Sequence, residues 1–196
     1  MDGIYIEENR NYQFDFRNAD WAIELQPHYR GAHLELSDVD YVLQYHGEVI
    51  LLEYKNAKIA VAQGHAGAKN FRPNSDEKIS QIARKFFDSW FYLSAHRHRR
   101  PVTYIYVLEW PNGDVVMRKE LRNRISRILP FQFQKQEAPI KGIIKEFAVL
   151  SIDPELFNEA YPRMNLPLSA SRLHKCHFLN GVSHICVKKW ADGLRR

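Results

Sequence analysis

Two segments of the chain are apolar on both faces of the strands that they would form. They are residues 102–110 (VTYIYVLEW) and, inside 48–55 (EVILLEYK), residues 49–52. Because successive side chains of a strand point to opposite sides, such segments are buried on both faces. They predict interior strands of a sheet that other elements cover.

A helix is predicted between these two strands. Asn74 or Ser75 can cap its first turn, and Asp76 and Glu77 favour the positive end of its dipole. The apolar residues recur at helical spacing and form one stripe, Ile79, Ile82, Ala83, Phe86, Trp90 and Leu93. The polar face carries Lys78, Gln81, Lys85 and Asp88. The helix should therefore pack one face against the sheet.

The other predicted elements complete an α/β fold. Residues 33–45 and 48–55 predict a hairpin that turns at His46-Gly47, because their β-branched and aromatic residues favour strands. Later elements are a strand at 114–117, a helix at 118–129, a strand at 145–152, a short helix from Asp153-Pro154, and a hairpin at 174–190 around Asn180-Gly181. This order predicts a mixed central sheet flanked by helices, with an added C-terminal hairpin. We expect one domain over 1–196, with its core at about 20–152.

The helix at 118–129 has an apolar and a basic side. Leu121, Ile125 and Ile128 are expected to face inward. The basic residues are expected to face mostly outward and to be solvated, with phosphate contact as the alternative; they are Arg118, Arg122, Arg124 and Arg127.

Composition is that of a folded cytoplasmic domain. Hydrophobic residues make up 45% and charged residues 26% of the chain, an ordinary globular balance. No apolar run reaches the roughly 18 residues of a membrane span. The first eight residues are acidic overall and the chain has two cysteines, so we expect neither a secretory signal nor a disulfide framework. We expect a cytoplasmic protein with no membrane partner.

Positive charge is concentrated after residue 60. Residues 1–60 carry 11 acidic and 5 basic side chains, whereas the other 136 residues carry 12 acidic and 23 basic ones. A basic surface favours polyanions such as nucleic acid, although a solvated basic face has the same composition. The densest cluster is the loop 96–100 (HRHRR). Arg97, Arg99 and Arg100, together with Lys58, are candidates for phosphate contact, and a solvated loop is the alternative.

Carboxylates and a lysine are predicted to converge on the hairpin. Since strand side chains alternate, Asp38 and Asp40 share one face of the first strand, and Glu53 and Lys55 share one face of the second. Such carboxylates can bind Mg²⁺, which activates water and neutralises charge on a phosphate, and a lysine can assist that reaction. The alternative is an exposed Glu–Lys pair. The apolar residues 49–52 argue against it, because buried charges need a partner or a metal.

An aspartate on one strand followed by Glu-x-Lys on the next resembles the PD-(D/E)XK nuclease superfamily. This family includes restriction endonucleases, Holliday-junction resolvases and the bacterial nuclease-related domain. Asp40 precedes Glu53 by 13 residues, as in resolvases and nuclease-related domains, and VDYVLQYHGEVILLEYKN is similar in texture to the latter. The resemblance covers about residues 33–110. It departs from the family pattern at Ser37, where the family name has proline.

The resemblance implies a restriction-endonuclease-like fold and a Mg²⁺- or Mn²⁺-dependent nuclease acting on DNA or, as the less favoured substrate, RNA. Asp40 and Glu53 would bind the metal, with Asp38 as the competing aspartate, and Lys55 would position the attacking water. Gln81 lies near the position where some members place a helical glutamine, and a solvated helix position is its alternative. Glu24 is the candidate for the acidic residue that members often carry on an N-terminal helix.

Two other classes of function fit the same scaffold. One is a catalytically silent module that binds nucleic acid, and the other is a protein-interaction subunit of a phage-defence or toxin system. Substrate form, specificity and oligomeric state are open, and a homodimer is compatible with the sequence.

The C-terminal hairpin also raises the question of a zinc site. It contains five candidate ligands, His174, Cys176, His177, His184 and Cys186. With a two-residue turn at Asn180-Gly181, only His177, His184 and Cys186 share one face. A structural zinc site needs four ligands, so we predict that the hairpin binds no structural zinc.

Overall fold

The computed structural model describes residues 4–6, 12–17, 19–31, 35–57, 71–110, 113–136, 142–150 and 169–172. Its strands are β1 (Ile4–Ile6), β2 (Tyr12–Asp15), β3 (Trp21–Glu24), β4 (Tyr41–Tyr45), β5 (Glu48–Asn56), β6 (Val102–Glu109), β7 (Ile144–Leu150) and β8 (Ser169–Arg172). Its helices are α1 (Gln26–Gly31), α2 (Asp76–Ala95), α3 (Val115–Ile128) and α4 (Phe131–Gln136).

The main sheet has five strands in the order β3-β4-β5-β6-β7. β3, β4 and β5 are antiparallel neighbours, whereas β5, β6 and β7 run parallel. All eight residues of β6 are buried, as are residues 49–53 of β5. The predicted α/β class with a mixed sheet and interior strands at these two segments is therefore confirmed.

Two apolar cores lie on the two faces of this sheet. On one face, residues of α2 and α3 such as Phe86 and Leu121 pack with Tyr104 and Phe147 of the sheet. On the other face, Phe14 and other N-terminal aromatic residues pack on the sheet. Phe14 belongs to a second, antiparallel sheet of order β1-β2-β8. Sequence patterns did not predict this second sheet.

The β4–β5 hairpin turns at His46 and Gly47, as predicted. Their φ angles are 50° and 76°, and Tyr45 pairs with Glu48 across the turn. A two-residue turn with positive φ at both positions matches the natural twist of a hairpin. It sets the register that continues from Tyr45 to Tyr41, which pairs with Leu52.

Helix α2 also matches its prediction closely. The Ser75 hydroxyl caps it by accepting a hydrogen bond from the Lys78 amide. Five residues of the predicted stripe are buried, while Trp90 is partly buried against the same core. The predicted cap and the amphipathic pattern thus identified the start and the buried face of this helix.

The predicted strand at 114–117 is wrong, because helix α3 already begins at Val115. The Asp114 carboxylate caps it by accepting a hydrogen bond of 2.7 Å from the Met117 amide. Arg118, expected outside, is buried and donates to the Gly113 carbonyl. Ile128, expected inside, is 45% exposed. Val115 and Val116 suggested a strand, but the cap at Asp114 starts a helix that leaves both exposed.

The strand predicted at 33–45 is shorter than expected and begins at Tyr41. Residues 35–40 are irregular, because side chains of α2 bind their backbone. The Ser37 amide donates to the Asp88 carboxylate at 2.8 Å, and the Val39 amide donates to the Ser89 hydroxyl at 3.0 Å. These amides are therefore held by the helix.

Glu24 lies on strand β3 and not on an N-terminal helix. It pairs with Tyr41, whose side chain belongs to the core on the face opposite α2. Since cross-strand partners share a face, Glu24 lies on that face too.

Several predictions fall on residues outside the described ranges. They are the helix from Asp153-Pro154, the hairpin at 174–190 with its histidines and cysteines, and Lys58. Among the helices in the described ranges, none combines the length and apolar character that a membrane crossing demands.

Candidate functional site

Asp40 and Glu53 approach each other on the face of the sheet that α2 covers. Tyr41 pairs with Leu52, so continuing the antiparallel register by one residue brings Asp40 opposite Glu53. The Tyr54 amide donates to the Asp40 Oδ2 atom at 2.7 Å. The predicted convergence of these two carboxylates is therefore present, although Asp40 lies one residue before its strand.

Lys85 of α2 contacts the buried carboxylate directly. Its Nζ atom donates to Oε2 of Glu53 at 2.8 Å. The Glu53 side chain is 5% exposed and the Lys85 side chain 28% exposed, so the ion pair connects the interior with the surface. Lys85 was predicted only as part of the polar face of the helix, and the structure places its ammonium group against Glu53.

Burial and mutual repulsion make the carboxylates weak acids. Burial, followed by the Asp40 charge, raises the pKa of Glu53 to about 8, although Lys85 and Lys55 act in the opposite direction. Burial also raises the pKa of Asp40, against the lowering effects of Lys85 and the Tyr54 amide. The two lysines therefore do not compensate for burial and for the repulsion between the two carboxylates.

The pKa of Lys85 responds to the same neighbours. Burial alone would lower it, but the charges of Glu53 and Asp40 outweigh burial and raise it. Lys85 therefore stays protonated at neutral pH.

Asp38 lies at the margin of the site. It is half-buried in the irregular segment before β4, and burial raises its pKa while Lys85 and Arg30 lower it. Its charge in turn raises the pKa of Asp40. The structure thus brings Asp38 within electrostatic range of the other two carboxylates, but not onto a strand face as expected.

Lys55 lies two residues after Glu53 and is exposed. Its pairing partner in β6, Leu108, belongs to the core on the α2 side of the sheet. Lys55 therefore shares a face with Glu53, as strand alternation predicted. It lowers the pKa of Glu53 less strongly than Lys85 does.

Gln81 is placed elsewhere on α2. Its amide donates to Glu77 at 2.9 Å, and its carbonyl oxygen accepts from Lys78 at 2.8 Å. All three residues are on the same helix, and Gln81 is exposed. The residue that reaches the carboxylates is Lys85, one turn further along.

Two buried tyrosines of β6 line the same face. Tyr106 pairs with Glu53 across the parallel strands, and burial followed by the Glu53 charge raises its pKa far above the usual range. Tyr104 has a similarly raised pKa and donates to the Ile82 carbonyl at 2.9 Å. Both hydroxyls therefore stay neutral. Predicting them would have required the β5–β6 register, which no local sequence pattern shows.

The arginine loop lies at the other end of these strands. Arg97, Arg99 and Arg100 are exposed, and Arg100 donates to the Gly47 carbonyl in the hairpin turn at 3.3 Å. The loop precedes Val102, whereas Tyr106 lies beside Glu53. Four residues of strand span about 13 Å, since each adds about 3.3 Å. The loop and the carboxylates are therefore not one cluster.

The carboxylate oxygens of Asp40 and Glu53 are of the type that a hard divalent cation binds, but they are few. Carboxylate oxygens and water are what Mg²⁺ prefers, and the weakly acidic pair Asp40 and Glu53 has a deficit of nearby positive charge. Across the part of the chain that the structure describes, no group of three or more His, Cys, Asp or Glu side chains is arranged to hold a metal ion. A cation held by Asp40 and Glu53 would therefore have to take most of its ligands from water.

No family model, curated protein or solved structure matches this chain.

Proposed function

We propose that this protein is a metal-dependent nuclease with a restriction-endonuclease-like fold that hydrolyses phosphodiester bonds, with DNA as the preferred substrate. One observation carries the proposal. The partly buried Asp40, one residue before strand β4, meets the buried Glu53 of β5. Two lysines approach this pair, Lys85 at 2.8 Å from Glu53 and Lys55 from β5.

In this proposal Asp40 and Glu53 hold Mg²⁺ or Mn²⁺, with Asp38 as an outer carboxylate. When bound, such a cation supplies Lewis acidity and makes water more acidic. The exposed Lys55 orients the attacking water and stabilises negative charge that develops on the phosphate. The Tyr54 amide holds Asp40 in place, since it donates to Oδ2. Gln81, bound within its own helix, has no direct role here.

A second candidate is a catalytically silent module that binds nucleic acid on the same scaffold. The Lys85–Glu53 ion pair favours it, because an ammonium group already occupies one oxygen of a proposed ligand. If that pair is permanent, the site is a structural ion pair. Basic surface residues such as Arg97 and Arg99 would then be the functional ones.

Cleavage assays with matched variants separate the two candidates. Asp40→Asn and Glu53→Gln keep the side-chain shape but remove a ligand charge. Each should lower the Mg²⁺-dependent cleavage rate at least about 100-fold, more than the loss typical of residues that merely support a metal ligand. Lys55→Ala should slow cleavage severely while divalent metal still binds. Asp38→Asn should have a milder effect than Asp40→Asn.

Glu77→Gln is the matched control, because Glu77 is an exposed carboxylate on α2 whose described hydrogen bond is to Gln81. It should cleave like the wild type. Equal cleavage by wild type and Asp40→Asn would show that the site is misassigned. If the wild type cleaves neither DNA nor RNA and binds no divalent metal, the binding module replaces the nuclease, and a gel shift tests it.

A further inference from the structure

Lys85 and a divalent cation would compete for the same oxygen atom. Oε2 of Glu53 accepts a hydrogen bond from Lys85 Nζ at 2.8 Å, a typical length for a charge-assisted hydrogen bond. Because Glu53 is only 4% exposed, its carboxylate is accessible from few directions. A cation that binds Glu53 has to approach a position that Lys85 already neutralises.

Lys85 affects the second proposed ligand as well. Oδ2 of Asp40 accepts from the Tyr54 amide at 2.7 Å, which holds this carboxylate beside Glu53. Lys85 also acts on Asp40 through its charge, and more strongly than Lys55 does. The influence of the ammonium group therefore extends over both proposed ligands.

The Lys85 ammonium group can move away from Glu53. Its side chain is 28% exposed, and it lies on the polar side of α2 between the buried stripe and the exposed face. A lysine stem is flexible, and its head can move to water at small cost. Glu53, in the centre of strand β5, has no such freedom.

We propose that Lys85 is a positioning residue that shares Glu53 with the metal ion. In the metal-free protein its hydrogen bond holds the Glu53 side chain in place, and its positive charge lies beside Glu53 and Asp40. When a divalent cation binds, Lys85 gives up Oε2 and turns to solvent. Metal affinity is therefore set below what the carboxylates alone would provide. This inference rests on the proposed function, because it takes Glu53 as a metal ligand.

Calcium titration of the full chain tests the inference without requiring cleavage. Lys85→Met removes the competing charge but keeps an unbranched apolar stem. It should bind Ca²⁺ more tightly than the wild type, by about tenfold or more, because unit charges in near contact interact strongly even at the protein surface. Lys85→Arg keeps the ion pair and should bind Ca²⁺ no more tightly than the wild type.

Lys78→Met is the matched control. Lys78 lies on the same helix, and its ammonium group donates to Gln81 in an exposed position. The substitution removes the same charge from the surface and should leave the dissociation constant for Ca²⁺ within about twofold, because salt screens exposed charges. Comparing the two variants separates competition at Glu53 from a general effect of net charge.

Thermal unfolding provides a second measurement. Without metal, Lys85→Met should unfold at a lower temperature than the wild type, since Glu53 loses the hydrogen bond from Lys85 and Asp40 loses a nearby positive charge. Saturating Ca²⁺ should raise its midpoint more than that of the wild type, because tighter binding to the native state stabilises it more. A merely structural Lys85 would produce the opposite result, a looser site with weaker Ca²⁺ binding.

The possible outcomes are distinguishable. Equal or weaker Ca²⁺ affinity in Lys85→Met, with clear binding by the wild type, overturns this inference and leaves the nuclease proposal intact. Absence of Ca²⁺ and Mn²⁺ binding in the wild type and every variant overturns both.

Discussion

Glu53 shows how a single residue can be costly to the fold and valuable to a site. It is buried in the middle of strand β5, where apolar neighbours exclude water. Burial and the adjacent Asp40 raise its pKa to about 8 from an ordinary value of 4.5. A position that served only stability would accommodate an apolar residue at lower free energy, because buried charges are hard to compensate. The proposed role of Glu53 as a metal ligand would offset this cost.

The raised pKa predicts an unusual pH dependence of stability. Native Glu53 holds its proton up to about pH 8, whereas the unfolded chain releases it near pH 4.5, so the native state binds more protons between these values. The stabilising contribution is complete below pH 4.5 and is lost as the pH rises towards 8. The loss is at most about 5 kcal/mol, since each pKa unit corresponds to about 1.4 kcal/mol.

Urea unfolding of the metal-free protein at pH 5 and pH 8 measures this effect. Glu53→Gln should lose less stability between the two values than the wild type, whereas Glu77→Gln should behave like the wild type. Equal pH dependence in the wild type and Glu53→Gln would show that Glu53 is ionised throughout.

The sequence could predict two of the site residues for a local reason. A two-residue turn at His46-Gly47 determines the register of the hairpin, and the register places Asp40 opposite Glu53. Lys85 could not be predicted in this way. Whether Lys78, Gln81 or Lys85 points to the sheet depends on how α2 is rotated on its core, and the polar pattern alone does not determine that rotation.

At the level of elements, helix α2 contacts both β5 and the segment before β4. Lys85 binds Glu53, while Asp88 and Ser89 hold the backbone of Ser37 and Val39. The segment that carries Asp38 and Asp40 is therefore attached to the same helix that carries the lysine. The strand predicted at 33–45 begins only at Tyr41 for this reason, since side-chain hydrogen bonds from a distant helix compete with β pairing.

Ser89→Ala tests this attachment. Ser89 and Val39 are both fully buried, and the Ser89 hydroxyl accepts a hydrogen bond from the Val39 amide. Leaving that amide without a partner should lower the free energy of unfolding by about 1–3 kcal/mol. It should also weaken Ca²⁺ binding, because Asp40 follows Val39 directly. Ser80→Ala, an exposed position on the same helix, should change neither quantity; a loss equal to that of Ser89→Ala would contradict the argument.

Helix α4 binds the backbone at the outer strand of the main sheet, a role that sequence patterns did not indicate. Gln134 accepts hydrogen bonds from the Ile143 and Ile144 amides and donates to the Ile144 carbonyl. Arg122 of α3 donates to the Phe147 carbonyl at 3.1 Å. These side chains occupy backbone groups of β7, an outer strand of the main sheet. A homodimer formed by extending the sheet at β7 would have to break these bonds, and covered edges of this kind oppose such pairing.

At the level of the whole molecule, the proposed site and the arginine loop lie at different positions along the same strands. The loop contacts the hairpin turn through Arg100, while Glu53 pairs with Tyr106, about 13 Å further along β6 at about 3.3 Å per residue. Phosphates of one nucleic acid strand are separated by comparable distances over a few nucleotides. If the proposed function is right, we expect a single bound duplex to contact both positions, with the loop contributing to affinity and the carboxylates to catalysis.

Replacing Arg97, Arg99 and Arg100 together by alanine tests this division of roles. Each lost phosphate contact should reduce the slope of log affinity against log salt by about 1, so binding should weaken and the slope should flatten. The cleavage rate at saturating DNA should remain close to that of the wild type, because none of the three residues is near Glu53.

The control is the triple alanine variant of Lys119, Arg127 and Lys135, which are exposed cations of α3 and α4. It removes the same net charge, so equal flattening by both variants would indicate a general charge effect. An unchanged slope in the loop variant would remove the loop from the interface and leave Lys55 and its neighbours as the phosphate contacts.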